Sequence, residues 1–224
     1  MAFAKTSKAP EDLKQGGGSK YINNSGMYPV RILAPIVNTS DKGSVAVDMY
    51  VDYEGQPQVI YGNLRVTNND GKTNEIGSKV FNQLLVIAGL DDVADPEEND
   101  LPVGKKESMK TVMILEDLCD VDVVMRVQME YGMFNGNITE KKVIKGFYRA
   151  DDMASAEEIV NESEAGVQYA KDLDYASNVA YKDDTDEATI TAWIAAKRPK
   201  GTGSNATAAA PTPSFGKKRS FGKA

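Results

Sequence analysis

Six segments with two different periodicities follow one another in this chain, and their order limits the folds it can adopt. Three runs alternate apolar and polar residues, Met27 to Ile36, Ser44 to Tyr53 and Pro57 to Val66. A helical run from Ser78 to Leu90 follows, and then two further alternating runs, Val121 to Tyr131 and Ile138 to Arg149, joined through Asn135-Gly136-Asn137. Period-two alternation puts successive side chains on opposite faces of a strand, whereas spacing of three and four residues makes one face of a helix. In the second run Val45, Val47, Met49, Val51 and Tyr53 are the expected core set, with Ala46, Asp48, Tyr50 and Asp52 opposite. The third run sends Ile60, Leu64 and Val66 inward and Val59, Tyr61, Asn63 and Arg65 outward; the fourth sends Val121, Val123, Met125, Val127 and Met129 inward. In the last run Ile138, Ile144 and Tyr148 share one face, and Thr139, Lys141, Val143, Lys145, Phe147 and Arg149 share the other. Pro29 and Pro35 place the first strand at a sheet edge or a bend, because proline has no N–H to give to a ladder.

Three strands, a helix and two strands is the order of a five-stranded Greek-key barrel of the OB type, with the helix between strands three and four closing the barrel bottom. The expected organisation is a flexible N-terminal arm over 1–20, an OB-type domain over 21–150, an acidic helical segment over 151–198 and a disordered basic tail over 199–224. Helices are expected over 155–172 and 188–197. Residues 91–108 are acidic and contain Pro96 and Pro102, which reads as a mobile insertion ahead of a short extended piece, 111–118.

Charge bears on the choice of partner. The net charge of -7 argues at first against a polyanionic ligand. Its distribution reverses the sense: residues 151–190 carry 12 acidic and 2 basic groups, and residues 191–224 carry 7 basic groups and no acidic one. With no apolar run long enough to span a bilayer and no apolar segment in the first twenty residues, neither membrane insertion nor secretion is expected. The single Cys119 has no disulfide partner in the chain, which fits a reducing intracellular site.

Catalytic signatures are scarce. The chain has no His, so the usual proton shuttle and commonest metal ligand are missing, and it has no phosphate-binding glycine loop or nucleophile elbow. A non-enzymatic protein without a cofactor is expected. The enzyme alternative is a metal-dependent nuclease using Glu116, Asp117, Asp120 and Asp122 with Glu140 and Lys142, although ordinary solvated carboxylates on a loop and strand explain the same residues better. Another alternative is a protein-interaction or virion-associated assembly module acting through the acidic helix and the basic tail.

On an OB barrel, oligonucleotides lie across the second and third strands between the loops joining strands one to two and four to five. Those places carry Tyr50, Tyr61, Asn63, Arg65, Lys42 and Phe134, with Lys141, Lys145, Phe147 and Arg149 on the last strand. An aromatic ring stacks on any base and Lys or Arg neutralises phosphate without reading sequence, so the constellation predicts sequence-tolerant binding. Asp48 and Asp52 on the same face oppose phosphate. In the tail, Ser214-Phe215-Gly216-Lys217 recurs as Ser220-Phe221-Gly222-Lys223 around Lys218 and Arg219; Phe215, Lys217, Lys218, Arg219 and Phe221 interleave rings and cations as a flexible strand-holding segment would.

This ordering, together with Gly26-Met27-Tyr28-Pro29-Val30-Arg31-Ile32 opening the barrel and Asn135-Gly136-Asn137 before its last strand, resembles bacteriophage single-stranded DNA-binding proteins of the OB type. The resemblance covers about residues 20–150. It implies a protein of the host cytoplasm that coats and protects single-stranded DNA in replication and recombination, with replication or recombination proteins as partners. Many members end in an acidic tail tipped by Phe; here the acidic stretch is internal and the end is basic.

Overall fold

A computed structural model of the chain describes residues 21–183 and 185–197. The fold is mainly β, an antiparallel sheet with four α-helices among the described residues. Its strands are β1 (Gly26–Thr39), β2 (Val45–Tyr53), β3 (Gln56–Thr67), β4 (Glu97–Leu101), β5 (Lys110–Ile114), β6 (Val121–Phe134), β7 (Asn137–Arg149) and β8 (Ala180–Tyr181). The helices are α1 (Glu75–Ala88), α2 (Ala156–Val160), α3 (Val167–Leu173) and α4 (Glu187–Lys197). No helix among the described residues is long and apolar enough to cross a membrane.

Two hairpins use the same turn chemistry. Glu54-Gly55 and Asn135-Gly136 both have positive φ at both residues (53° and 78°, 49° and 74°), as a two-residue turn matched to strand twist requires. Strand β1 organises the sheet. It pairs with β2 from Arg31 to Thr39, with β6 from Gly26 to Ile32 and with β5 at Ile36 and Val37. It is a central strand, not an edge one, and Pro35 sits where its outer partner changes: the β6 ladder ends at Ile32 and the β5 ladder begins at Ile36. The proline carbonyl faces that side and accepts from Leu115 N at 3.1 Å, so the missing N–H falls in the gap between two ladders.

The sheet curls so that β3 and β7 approach each other without sharing a ladder among the described residues, and α1 packs on both. The helix begins at Asn74, whose side chain accepts from Gly77 N at 2.9 Å, and ends in the left-handed Gly89, so it lies earlier than the periodicity alone predicts. Gly77 is required there: a Cβ would fall 2.0 Å from the Arg65 carbonyl oxygen, so only glycine lets the first turn of α1 lie on β3. Val80 and Leu84 of α1 join Val30, Ile32, Val47, Met49, Val51, Ile60, Leu64, Val123, Met125, Val127, Ile144 and Phe147 in the main core. Residues 21–25 run beside the seam between β3 and β7, tied to β3 and β6: Ile22 is buried in the core, its N–H donating to Gln58 Oε1 at 2.9 Å, and Ser25 Oγ accepts from Met129 N at 2.9 Å.

Three regions depart from the sequence expectations. The insertion after α1 contains an ordered hairpin, β4–β5. Residues 155–172 form two short helices with a break between α2 and α3, where Glu158 accepts from Ser155, Gly166 and Gln168 N–H groups and so ties the two together. Burial pushes the Glu158 carboxyl up, but those backbone donors outweigh it and leave it below its ordinary value. The acidic segment is docked on the sheet: Met27, Val124 and Tyr148 pack under Tyr169, Leu173 and Ala176, while Met129 and Tyr131 pack under Ile190, Trp193 and Ile194. Its carboxylates complete ion pairs, Asp172 with Arg126 at 2.9 Å and Asp152 with Arg149 at 2.5 Å.

Candidate nucleic-acid interface

Outer-face residues of β2 and β3 meet the β4–β5 hairpin. Leu101, Val103, Val112 and Ile114 pack onto Ala34, Ile36, Tyr50 and Val59, an apolar contact that fixes the hairpin across the sheet. Tyr50 is therefore only 8% exposed, a correction to its expected place on an open platform. Burial, with Glu107 and Asp52 adding, pushes its phenol above the ordinary value. Beside this contact the hairpin stands away from β3 and leaves a groove of about 500 Å³ lined by Tyr21, Tyr50, Pro57, Gln58, Val59, Tyr61, Pro102, Val103, Gly104, Lys106, Glu107 and Lys142. It continues into a second hollow of about 340 Å³ lined by Ile36, Asn38, Asp48, Lys110 and Val112, with Val59, Tyr61, Val103 and Gly104 common to both. Tyr61 stands at the junction, 68% exposed.

The two carboxylates that opposed an anionic ligand have structural work. Asp48 Oδ2 accepts from Asn38 Nδ2 at 2.9 Å, and Asp52 Oδ1 accepts from Gly55 N at 2.7 Å, holding the β2–β3 turn. Glu107 remains an anion on the groove wall, against Lys106, Lys110 and Lys142.

The other expected site residues separate into three groups. Lys42, Arg65, Lys141 and Phe134 are exposed, Phe134 at 68%, but line neither hollow. Phe147 is a core residue at 2% exposure; a bulge at Lys145, between the pairs Arg126–Gly146 and Val127–Ile144, reverses which side chains face inward along β7. Lys145 and Arg149 are engaged by neighbours: Lys145 Nζ lies 3.3 Å from Glu130, which Lys182 also holds at 2.5 Å, and Arg149 forks onto Asp152. The Asn63 side chain and the tail residues Phe215, Lys217, Lys218, Arg219 and Phe221 lie outside the described residues.

Sequence reading missed Tyr21, Gln58, Lys106 and Lys110, and singled out Lys142 only for the nuclease alternative. The available signal was the run Pro102-Val103-Gly104-Lys105-Lys106, a turn carrying two cations inside an otherwise acidic insertion. As for the nuclease alternative, Asp122 is forked by Arg31 at 2.9 and 3.0 Å, Asp117 accepts from Ala94 N, and Glu140 is held by Tyr131 Oη and Lys197. Among the described residues no group of three or more acidic, Cys or His side chains is placed to hold a metal ion. No protein-family model matches the chain, and no curated protein matches its sequence.

Proposed function

We propose that this protein is a non-enzymatic, sequence-tolerant single-stranded DNA-binding protein built on an OB-type barrel, with β1, β2, β3, β6 and β7 as its five strands. It would act inside the cell on strands exposed during phage replication or recombination. The observation that carries the reading is the continuous groove between the β2–β3 face and the β4–β5 hairpin, with a ring at its centre and lysines on both walls. A single strand offers what such a groove can hold: flat bases for Tyr61 and phosphates for Lys106, Lys110 and Lys142. The wall lysines contact phosphate, common to every nucleotide, and a stacking ring accepts any base, so affinity depends on salt more than on sequence.

Titrating the protein into labelled oligo-dT at low salt, with anisotropy as the readout, is expected to show binding that weakens as salt rises. Tyr61→Ala is expected to raise Kd by about 5- to 150-fold, the equivalent of one lost base stack of about 1–3 kcal/mol, with an unchanged melting temperature because the ring is exposed. Absence of binding by the unmodified protein at low salt would falsify this function.

A further inference from the structure

Most of the described cations along β6, β7 and the segments docked on them are engaged by a carboxylate; Lys141 and Lys171 are not, and both are exposed. Arg31 is held by Asp122, Arg126 by Asp172, Arg149 by Asp152, Lys145 and Lys182 by Glu130, and Lys197 by Glu140. Lys142 departs from this. Its side chain is half-buried and makes neither a hydrogen bond nor an ion pair with any described residue. The carboxylate nearest to it along its own strand face, Glu140, already accepts from Tyr131 Oη at 3.0 Å and Lys197 Nζ at 3.0 Å. Burial draws the Lys142 ammonium below its ordinary value, with Glu140 opposing, which is the mark of a charge that has lost water without gaining a full partner.

Its place in the fold says what would relieve that. Lys142 stands two residues before Ile144, ahead of the bulge, and so shares its face, away from exposed Lys141 and toward the seam between β3 and β7. There it lines the groove together with Tyr21, Gln58 and Tyr61. Tyr21 is half-exposed and opens the segment that runs beside the seam, so two aromatic rings and one unpaired ammonium border the same hollow.

We propose that Lys142, Tyr21 and Tyr61 form a nucleotide subsite at the seam end of the groove, in which Lys142 holds a phosphate and the rings take the adjoining base. The proposal rests on the reading of the groove as a single-strand site. A phosphate there supplies the anion the fold withholds, and a partly dry site strengthens the contact relative to one at an exposed lysine.

The test compares the full chain with Lys142→Gln, Lys142→Arg and, as a control of equal charge change, Lys72→Gln, whose exposed side chain pairs with Asp70 and lines neither hollow. In oligo-dT titrations over a range of salt, K142Q is expected to lose about tenfold or more in affinity, and its log Kd against log salt slope to fall by roughly 0.7, one phosphate on a single strand. K142R is expected to stay near the unmodified protein, and K72Q to keep the full slope. Thymidine monophosphate is expected to compete for the unmodified protein better than inorganic phosphate at equal ionic strength, and to lose that advantage in K142Q. If the unmodified protein binds oligo-dT and K142Q matches it in affinity and slope, the subsite is overturned while the groove reading stands. Equal competition by phosphate and nucleotide also overturns it, since the site would then be a plain anion site. If the unmodified protein does not bind at all, the groove reading itself fails.

Discussion

A chain cut after Ala150 is expected to be insoluble, or to melt far below the full-length protein. The cut removes everything that covers the outer face of β6 and its neighbours, so Met27, Val124, Tyr148, Met129 and Tyr131 would face water. Full burial of one such side chain contributes about 1.5–3 kcal/mol, so losing even part of the cover over five of them amounts to about 5 kcal/mol or more, a large share of a typical domain stability of about 5–15 kcal/mol. Arg126 would also lose Asp172, and Glu130 would lose Lys182. Solubility on expression and a thermal melt by circular dichroism decide the matter. A soluble 1–150 fragment with the full-length melting temperature would show that the acidic segment is an appendage after all.

Phe147→Ala is expected to cost about 3–5 kcal/mol of stability, lowering the melting temperature by about 10 °C or more, while leaving oligo-dT affinity unchanged wherever the variant is folded. The ring is fully enclosed by the main core and stands opposite Met125 in the β6–β7 ladder, so truncation leaves a cavity that its strand-bound neighbours cannot fill. The pairing of outcomes is what tests the assignment: a ligand-contacting Phe147 would give the reverse, near-normal melting and lost affinity.

Much of the fold was legible because alternation survives wherever a strand buries one face. Val47, Met49 and Val51, then Ile60 and Leu64, then Val123, Met125 and Val127 all lie in the core set that period two assigns them. Legibility failed at two kinds of place. A β-bulge inserts one residue and flips every later side chain, so the same alternation that read β2 correctly put Phe147 on the ligand face. Tertiary cover is the other. Glu97-Glu98-Asn99-Asp100-Leu101 has no apolar periodicity, so nothing in it announces a strand whose hairpin lies over Tyr50. On the outer face of β2 and β3, this left Tyr61 exposed as alternation assigns it, Tyr50 covered, and the hairpin wall opposite unseen. The docking of the acidic helical segment was not legible for a related reason: its charge count suits a solvated surface, but Asp152, Glu158 and Asp172 are consumed in internal contacts.

The partner change along β1 has a consequence in time as well as in space. The β6–β7 hairpin closes on a two-residue turn and needs no distant chain, whereas β1 reaches β6 only by bringing together residues such as Arg31 and Asp122, 91 positions apart. Loop closure over that length delays the pairing, so the hairpin is expected to gain amide protection in pulsed hydrogen exchange before β1 does. During that interval β6 presents Val123 and Val124 uncovered on opposite faces, and a newly made chain is at its most association-prone before its first strand arrives.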